Sequence, residues 1–354
     1  MEIVMVNKQF ERVGLIDNAH VIWTSRYYKC GDFELYMPAT QRNLDLLYQS
    51  YFVVRDEDED NAGIIEDIKM TNSPDEGSMI TVTGRFTPMI LGKRIISQQT
   101  QLKGDFQNSV RNLVTTNVIN PTKTERKIKC IALGEFNTDL TEKLEMQTTG
   151  NNLLEKIEET CEALGVGFKM PLRKNKIYFE MYKGIDRSYN QMENPWIIFS
   201  DEYDNVAESE YEKKTSEYKN VFLIAAEGEG INRRQLWGAS SDNETEITDL
   251  DRNEVYVDQR NMSSNDENIT EEEYLEQMKS EGKDNLTYIT ETFAGAVILS
   301  NYKYGKPENG GDLFLGDVVT IKNTKWNIYM NTRIVEVIES EDNNGKVITL
   351  TFGI

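Results

Sequence analysis

Short runs of β-branched and aromatic residues alternate with clusters of turn-forming residues in the first part of the chain. Apolar side chains at every second position of such runs predict strands with one buried face. The predicted strands cover residues 10–17, 21–28, 33–37, 51–55, 63–70 and 78–85. Strands at this spacing are typical of a small barrel or sandwich, so we assign residues 1–95 to a first β domain.

The spacing of the apolar residues changes to that of a helix in the middle of the chain. The clearest predicted helix covers residues 151–164 and precedes Gly165, which occupies the position of a C-terminal cap. A shorter helix is predicted over residues 104–117, and a strand over residues 176–182. This pattern indicates a small α/β domain at residues 96–195, inserted between β segments.

Strands return after the insert, and we assign residues 196–232 to the second part of the first β domain. Residues 233–354 then form a second β domain, whose acidic first half predicts solvated loops and an exposed helix at about 270–281. Its closing strands are predicted over residues 296–304, 317–322, 326–329, 334–339 and 346–352. The predicted fold class is mainly β with an α/β insert, that is, α+β.

The charge of the chain restricts its partners. Sixty acidic residues against 39 basic ones give a formal net charge of −21. Such a surface repels phosphate backbones and anionic lipid, so we expect no nonspecific nucleic-acid binding and no adsorption to membranes. The N-terminus lacks the pattern of a signal peptide, and the longest apolar run, residues 293–299, is too short for a membrane anchor.

The residue types that carry most catalytic chemistry are scarce. The single histidine, His20, lies in a predicted strand, so no Ser-His-Asp arrangement and no histidine metal site is expected. Cys30, Cys130 and Cys161 form no CxxC pair, and we interpret them as inert thiols made in a reducing cytoplasm. Phosphate-binding glycine loops are also missing from the sequence. We therefore expect neither an enzyme nor a cofactor.

One acidic run resembles part of a calcium loop. Asp56, Asp58 and Asp60 match the first three ligand positions of an EF-hand. That loop needs glycine at its sixth position and glutamate at its twelfth, where this chain has Asn61 and Asp67. We therefore reject a calcium site here and interpret the run as a solvated hairpin tip.

Short motifs spread along the chain resemble, in the same order, those of siphovirus tail-hub proteins. The first combines a tryptophan, an Arg-Tyr pair, a Gly-Asp-Phe-Glu turn and a proline within residues 23–38. The later motifs occupy residues 63–68, 82–85, 91–96, 150–154, 199–206, 218–221, 226–230, 315–319, 333–337 and 351–353. The resemblance therefore extends over nearly the whole chain.

The resemblance implies a non-enzymatic structural hub at the tail tip or baseplate of a phage or phage-tail-like particle. Each chain would contribute two tube-like β-barrels to a homotrimeric ring, in which partner strands close the open sheet edges. The ring would join the sixfold tail tube or a distal tail protein to a threefold spike or fibre protein. DNA would pass through it without specific binding. The protein would be made in the bacterial host cytoplasm and end in the virion.

Two Gly-Asp pairs, Gly31-Asp32 and Gly316-Asp317, suit tight turns that lead into strands. Glycine reaches positive φ, and aspartate accepts hydrogen bonds from nearby backbone. We predict that both pairs are structural turns, and that disturbing Gly316-Asp317 impairs assembly before it impairs any chemistry. The repetition of the pair favours two related barrels in one chain.

Two other functional classes stay open. The first is a cell-wall hydrolase that acts through Glu or Asp carboxylates marked by no motif. The second is a carbohydrate- or receptor-binding β module that uses exposed tyrosines and tryptophans. Tail-hub relatives often continue into a peptidase, a muralytic domain or a fibre-like extension, whereas the last strand predicted here ends at Phe352. We therefore expect no appended enzyme.

Overall fold

The computed structural model describes residues 2–16, 19–55, 58, 60–75, 77–241, 243–263, 269–296 and 302–353. Strands predominate, so the prediction of a mainly β fold is confirmed. The chain forms two compact units, a larger one of residues 1–210 and 293–354 and a smaller one of residues 211–292. Closure of strands into two barrels, with domain boundaries at residues 95, 195 and 232, stays a prediction.

The N-terminal part of the larger unit consists of strands around one short helix. Its elements are β1 (Ile3–Val6), β2 (Arg12–Ile16), β3 (His20–Arg26), β4 (Asp32–Pro38), α1 (Gln41–Gln49), β5 (Phe52–Arg55), β6 (Ala62–Ser73) and β7 (Gly77–Phe86). The sequence patterns missed β1 and α1. Helix α1 spans only nine residues and buries Leu47 in the core of the sheet, and its start is marked by the Thr40 side chain, which accepts a hydrogen bond from the Asn43 amide.

The following segment has the mixed character expected of the insert. Its elements are β8 (Thr100–Asp105), α2 (Phe106–Val114), β9 (Ile131–Leu133), β10 (Lys143–Thr148), α3 (Leu153–Leu164), β11 (Gly167–Lys169), β12 (Leu172–Arg173) and β13 (Lys176–Tyr182). Asn152 caps α3 at its start, and Gly165 ends it with a φ of 67°. A π-helical turn, Thr115–Ile119, continues α2.

The remaining elements include the smaller unit and the C-terminal strands. They are β14 (Ile198–Ser200), β15 (Glu210–Lys214), β16 (Val221–Ala225), β17 (Gln235–Ala239), β18 (Glu254–Asp258), α4 (Glu271–Asp284), β19 (Thr290–Ala296), β20 (Val318–Asn323), β21 (Ile328–Asp342) and β22 (Gly345–Gly353). The strand predicted over 296–304 falls largely on residues 297–301, which lie outside the described residues. The two strands predicted over 326–329 and 334–339 are one long strand, β21.

One large sheet organises the larger unit, in the strand order β22-β21-β3-β4-β7-β6-β5-β1-β2. Strand β20 joins it by pairing antiparallel with β21, and β14 pairs parallel with β20. Because β21 pairs with β3, residues from opposite ends of the chain share this sheet. One face buries the aromatic side chains Trp23, Phe33 and Phe86.

Apolar side chains also pack into cores outside this sheet face. In the insert, the predicted helical stripe packs its buried Leu153, Ile157 and Cys161 into a core that also holds Phe106 and Phe179. In the smaller unit, strands in the order β17-β16-β18 pack against α4. A capping box between Thr270 and Glu273 begins α4.

Candidate functional site: a joint of three segments and an open sheet edge

The predicted turn at Gly316-Asp317 lies immediately before β20. Gly316 has a φ of 97°, which glycine adopts at no steric cost. A Cβ atom at this position would lie 2.3 Å from a carbon of the Tyr27 ring, so a side chain would also collide with a buried aromatic residue. The Gly316 carbonyl accepts a hydrogen bond from Nη1 of Arg333 at 2.5 Å. The position therefore requires glycine for two separate reasons.

The Asp317 carboxylate does more than stabilise its own turn. It is 3% exposed and accepts hydrogen bonds from the Ile185 amide at 2.7 Å, Nε of Arg187 at 2.9 Å and the Phe314 amide at 3.0 Å. Arg187 is itself 6% exposed, so the two charges form a buried pair. Asp317 thus ties the segment that follows β13 to the start of β20.

Tyr27 completes this contact from the N-terminal sheet. Its buried hydroxyl donates to the Tyr182 carbonyl at 3.2 Å and accepts from the Gly184 amide at 3.2 Å. The Arg333 guanidinium lies over its ring, 5.2 Å from the centroid. Burial raises the pKa of Tyr27 to about 12, so the hydroxyl stays protonated. We call Tyr27, Arg187, Gly316, Asp317 and Arg333 the joint, because they hold three distant segments of the chain together.

The second predicted turn, Gly31-Asp32, lies at the start of β4, and Gly31 does not have the positive φ that the sequence argument assigned to it. A Cβ atom at Gly31 would lie 2.3 Å from the Thr24 carbonyl oxygen, so this turn also has no room for a side chain. Asp32 pairs with Arg26, which also donates to Glu336 on β21 at 2.7 Å. Both predicted turns therefore lie where strands from different parts of the chain meet. Their role in assembly stays a prediction.

The carboxylates of the acidic run that resembles a calcium loop have different partners in the structure. Asp56 lies outside the described residues. Asp58 accepts a hydrogen bond from the indole Nε1 of Trp23 at 2.7 Å, and Asp60 pairs with Lys169 at 2.8 Å and Lys306 at 2.7 Å. Protein donors thus occupy both carboxylates. Within the described part of the chain, no group of His, Cys, Asp and Glu side chains is arranged to hold a metal ion.

A polar cavity of about 420 Å³ lies beside this run, and sequence reasoning missed it. Its wall includes a buried ion pair between Arg55 and Glu339 at 2.5 Å, and Lys346 reaches the same carboxylate at 2.6 Å. Arg55 and Glu339 are 284 positions apart, so no local pattern relates them. The local signal in the sequence is Glu339 itself, a glutamate at an inward-facing position of β21 that follows apolar residues on that strand.

Acid is expected to weaken these ion pairs. Burial alone would raise the pKa of Asp60 and of Glu339, but their cationic partners outweigh it, so both values lie below the ordinary 3.8 and 4.5. The pairs therefore contribute stability above these ordinary values, and that contribution is lost as the pH falls through the folded-state values. Urea unfolding at about pH 7 and pH 3 should show a fall in the free energy of unfolding. A Glu339→Gln variant should show a smaller fall in the free energy of unfolding between the two pH values. An equal fall in the variant and the wild type would contradict the prediction.

The three thiols are held in the protonated form, and the histidine lies on the surface. Burial raises the pKa of Cys30 to about 12 and also raises those of Cys130 and Cys161, so all three stay protonated at neutral pH. His20 is exposed on β3, with the ring of Tyr36 6.1 Å away. None of the described helices is long and apolar enough to cross a membrane.

The outer half of β6 forms an open edge of the large sheet. Strand β5 pairs with β6 only near its start, whereas β7 follows β6 to its end. Among the residues that the structure describes, none pairs with the other side of β6 from residue 66 to residue 73. Such an edge presents unpaired N–H and C=O groups that can bind another strand.

Two side chains on one face of this edge are apolar where solvent would favour polar ones. Ile68 lies opposite Val82 and Met70 opposite Ile80, and opposite residues of an antiparallel pair share one face of the sheet. Val82 and Ile80 are completely buried, but Ile68 and Met70 are 39% and 49% exposed. The core face of the sheet thus continues, uncovered, to its open edge. We call residues 66–73 of β6 the open edge.

Comparison with known proteins gives one family and several similar folds. The family model described as Siphovirus ReqiPepy6 Gp37-like protein matches residues 1–354. No curated protein matches the chain.

Three solved structures have similar folds over nearly the full length of both chains. The 43 kDa tail protein of prophage MuSo2 from Shewanella oneidensis is 14% identical with a TM-score of 0.54, and 99% of this chain and 98% of that one are covered. A tail protein from Neisseria meningitidis MC58 is 14% identical with a TM-score of 0.55, covering 100% and 96%. Prophage tail protein gp18 from Listeria monocytogenes EGD-e is 12% identical with a TM-score of 0.52, covering 99% and 94%.

Proposed function

The chain belongs to the Siphovirus ReqiPepy6 Gp37-like protein family, a family of phage tail proteins, and we propose that it is a non-enzymatic hub subunit of the tail tip or baseplate. Three copies form a ring. The ring joins the tail tube or a distal tail protein on one side to a spike or fibre protein on the other. Each copy contributes two tube-like barrels, and DNA passes through the ring without specific binding.

The observation that carries this proposal is the open edge of β6. Ile68 and Met70 continue the apolar core face into solvent beside unpaired backbone groups. An exposed edge of this kind in an isolated chain is prone to uncontrolled aggregation, and a partner strand removes that hazard. A closed ring of identical subunits supplies such a partner to every copy. The fold shared with prophage tail proteins supports a place in a phage tail.

Charge at the open edge is expected to abolish ring formation. In a variant with Ile68→Lys and Met70→Lys, two ammonium groups would have to be desolvated in the contact, which costs several kcal/mol by order of magnitude. Light scattering and particle imaging of the purified protein should show rings for the wild type and monomers for the variant. Far-UV circular dichroism should be unchanged, because both side chains are exposed in the monomer.

Ile22→Lys is the matched control for this experiment. Ile22 is 43% exposed, like the edge residues, but its strand β3 is paired on both sides by β4 and β21. Its substitution should leave rings intact. A wild-type chain that stays monomeric at high concentration, or rings that survive in the edge variant, would contradict the proposal.

A second candidate function rests on an exposed aromatic pair. The rings of Tyr189 and Trp196 are 50% and 45% exposed, with centroids 4.7 Å apart. Gln191 holds their loop by accepting from the Glu193 and Asn194 amides. Flat, fixed aromatic surfaces of this kind bind the apolar faces of sugars, so the alternative is a carbohydrate- or receptor-binding module. Glycan binding that is lost in Trp196→Ala, in a protein that forms no rings, would favour it over the hub.

A further inference from the structure

Positive charge without carboxylate partners is concentrated in one part of the larger unit. Residues 91–134 contain eight basic and two acidic residues, although the whole chain has a net charge of −21. The basic patch consists of Arg94, Lys123, Arg126, Lys127 and Lys129. None of its five cations forms an ion pair with a carboxylate among the described residues, whereas Arg26, Arg55 and Arg187 elsewhere are all paired.

Neutral oxygen atoms, rather than carboxylates, hold the two arginines of the basic patch. Arg126 donates to the Ile95 carbonyl at 2.5 Å and to the hydroxyl of Ser97, and Arg94 donates to the Arg126 carbonyl at 2.9 Å. These bonds fix both guanidinium groups but leave their charge uncompensated. Lys123, Lys127 and Lys129 are exposed around them. The patch is therefore rigid at its centre and positive over its surface.

The smaller unit carries the opposite charge in excess. Residues 211–292 contain 20 acidic and nine basic residues. Several of its described acids pair with a basic side chain, but other exposed ones, among them Glu246, Asp249 and Asp251, form no ion pair with a described cation. They surround Leu250, which is 91% exposed. We call residues 246–251 the acidic tip.

Arg252 holds the acidic tip in place. Its guanidinium pairs with Glu244 at 2.9 Å and Glu254 at 2.6 Å, and it donates to the Ile247 carbonyl at 3.1 Å. The tip thus presents three uncompensated carboxylates and one apolar side chain from an ordered loop. A surface that is ordered before binding loses less conformational entropy when it binds.

We propose that the acidic tip of one copy docks on the basic patch of a neighbouring copy in the ring. This inference rests on the proposed hub function and assigns a second contact to the same assembly. The partner is a second copy because the chain carries both surfaces, the acidic tip and the basic patch that complements it. The charges of both surfaces lack ion-pair partners among the described side chains. Two different surfaces that bind each other generate a ring when the rotation closes. At physiological ionic strength, charges more than about 8 Å apart are screened, so local complementarity outweighs the overall repulsion.

Charge reversal in both directions tests the proposal. A patch variant carries Lys123→Glu, Lys127→Glu and Lys129→Glu, and a control carries Lys174→Glu, Lys176→Glu and Lys325→Glu, which change the net charge equally. By sedimentation velocity at physiological ionic strength, the dissociation constant for self-association should rise about tenfold or more in the patch variant. In the control it should change less than about threefold.

Reversing the charge of the acidic tip in the patch variant should restore the contact. Adding Glu246→Lys and Asp251→Lys to the patch variant should return self-association to within about threefold of the wild type. Rings that form equally well in patch variant and control overturn the docking but leave the hub function standing. A wild-type chain that never associates overturns both. A patch variant that associates normally but no longer binds a double-stranded oligonucleotide assigns the patch to DNA and overturns the proposal.

Discussion

Replacing Gly316 by valine is expected to lower the free energy of unfolding by about 2–5 kcal/mol and to abolish ring formation. The backbone at Gly316 has a φ of 97°, where a β-branched residue is strained by about 1–2 kcal/mol. Its Cβ would also lie 2.3 Å from the buried Tyr27 ring, and relieving such overpacking costs typically about 1–3 kcal/mol. Urea denaturation of the purified protein measures the first effect, and light scattering the second.

Gly310→Val separates the two causes. Gly310 has a φ of 72°, but no atom lies within 4 Å of its hypothetical Cβ. This control should therefore lose only the backbone contribution and still form rings. Normal rings from Gly316→Val, or equal losses in the two variants, would show that Tyr27 and Gly316 do not hold the joint together.

Removing the Asp317 carboxylate is expected to cost about 3–5 kcal/mol of unfolding free energy, because the mutation leaves a buried cation without its partner. In Asp317→Ala, the Arg187 guanidinium stays 6% exposed without a carboxylate, and the amides of Ile185 and Phe314 lose their acceptor. Thermal and urea unfolding should both show the loss. The variant should also fail to assemble, since the joint fixes the insert against the C-terminal strands.

Asp186→Ala is the control for this prediction. Asp186 is exposed and its carboxylate accepts a hydrogen bond from the Ser188 amide, so loss of the carboxylate should cost about 1 kcal/mol or less. Replacing Arg187 by leucine together with Asp317→Ala should cost less than the sum of the two single changes, because the unpaired charge is gone. Additive losses would mean that the two side chains do not act as a pair.

Local sequence patterns predicted the elements whose apolar residues recur at the regular spacing of a helix or a strand. The stripe on α3 and its glycine cap placed that helix within two residues of its observed start, and the alternation of residues 176–182 matched β13. Both depend on interactions between near neighbours along the chain. Helix α1 was missed because its nine residues are too few for a helical spacing to be recognised with certainty.

The contacts of the joint show where local reasoning ends. The sequence indicated that Gly316 and Asp317 form a turn, and this conclusion needs only their conformational preferences. It did not indicate that Tyr27 fills the space above Gly316, or that Asp317 is bound to Arg187, 130 positions earlier. These residue types are common in many surroundings, and only the folded chain selects one partner for each.

The sequence by itself determined the mainly β character, the α/β segment in the middle of the chain, and the ordered motifs that resemble tail-hub proteins. These features depend on the spacing of apolar residues and on short motifs, both of which reflect the local backbone conformation. Only the tertiary structure decided that β21 pairs with β3, that Glu339 lies against Arg55, and that the core face reaches an open edge at β6. Each of these depends on which distant segments become neighbours, and that is settled by burial summed over the whole sheet rather than by any local residue pattern.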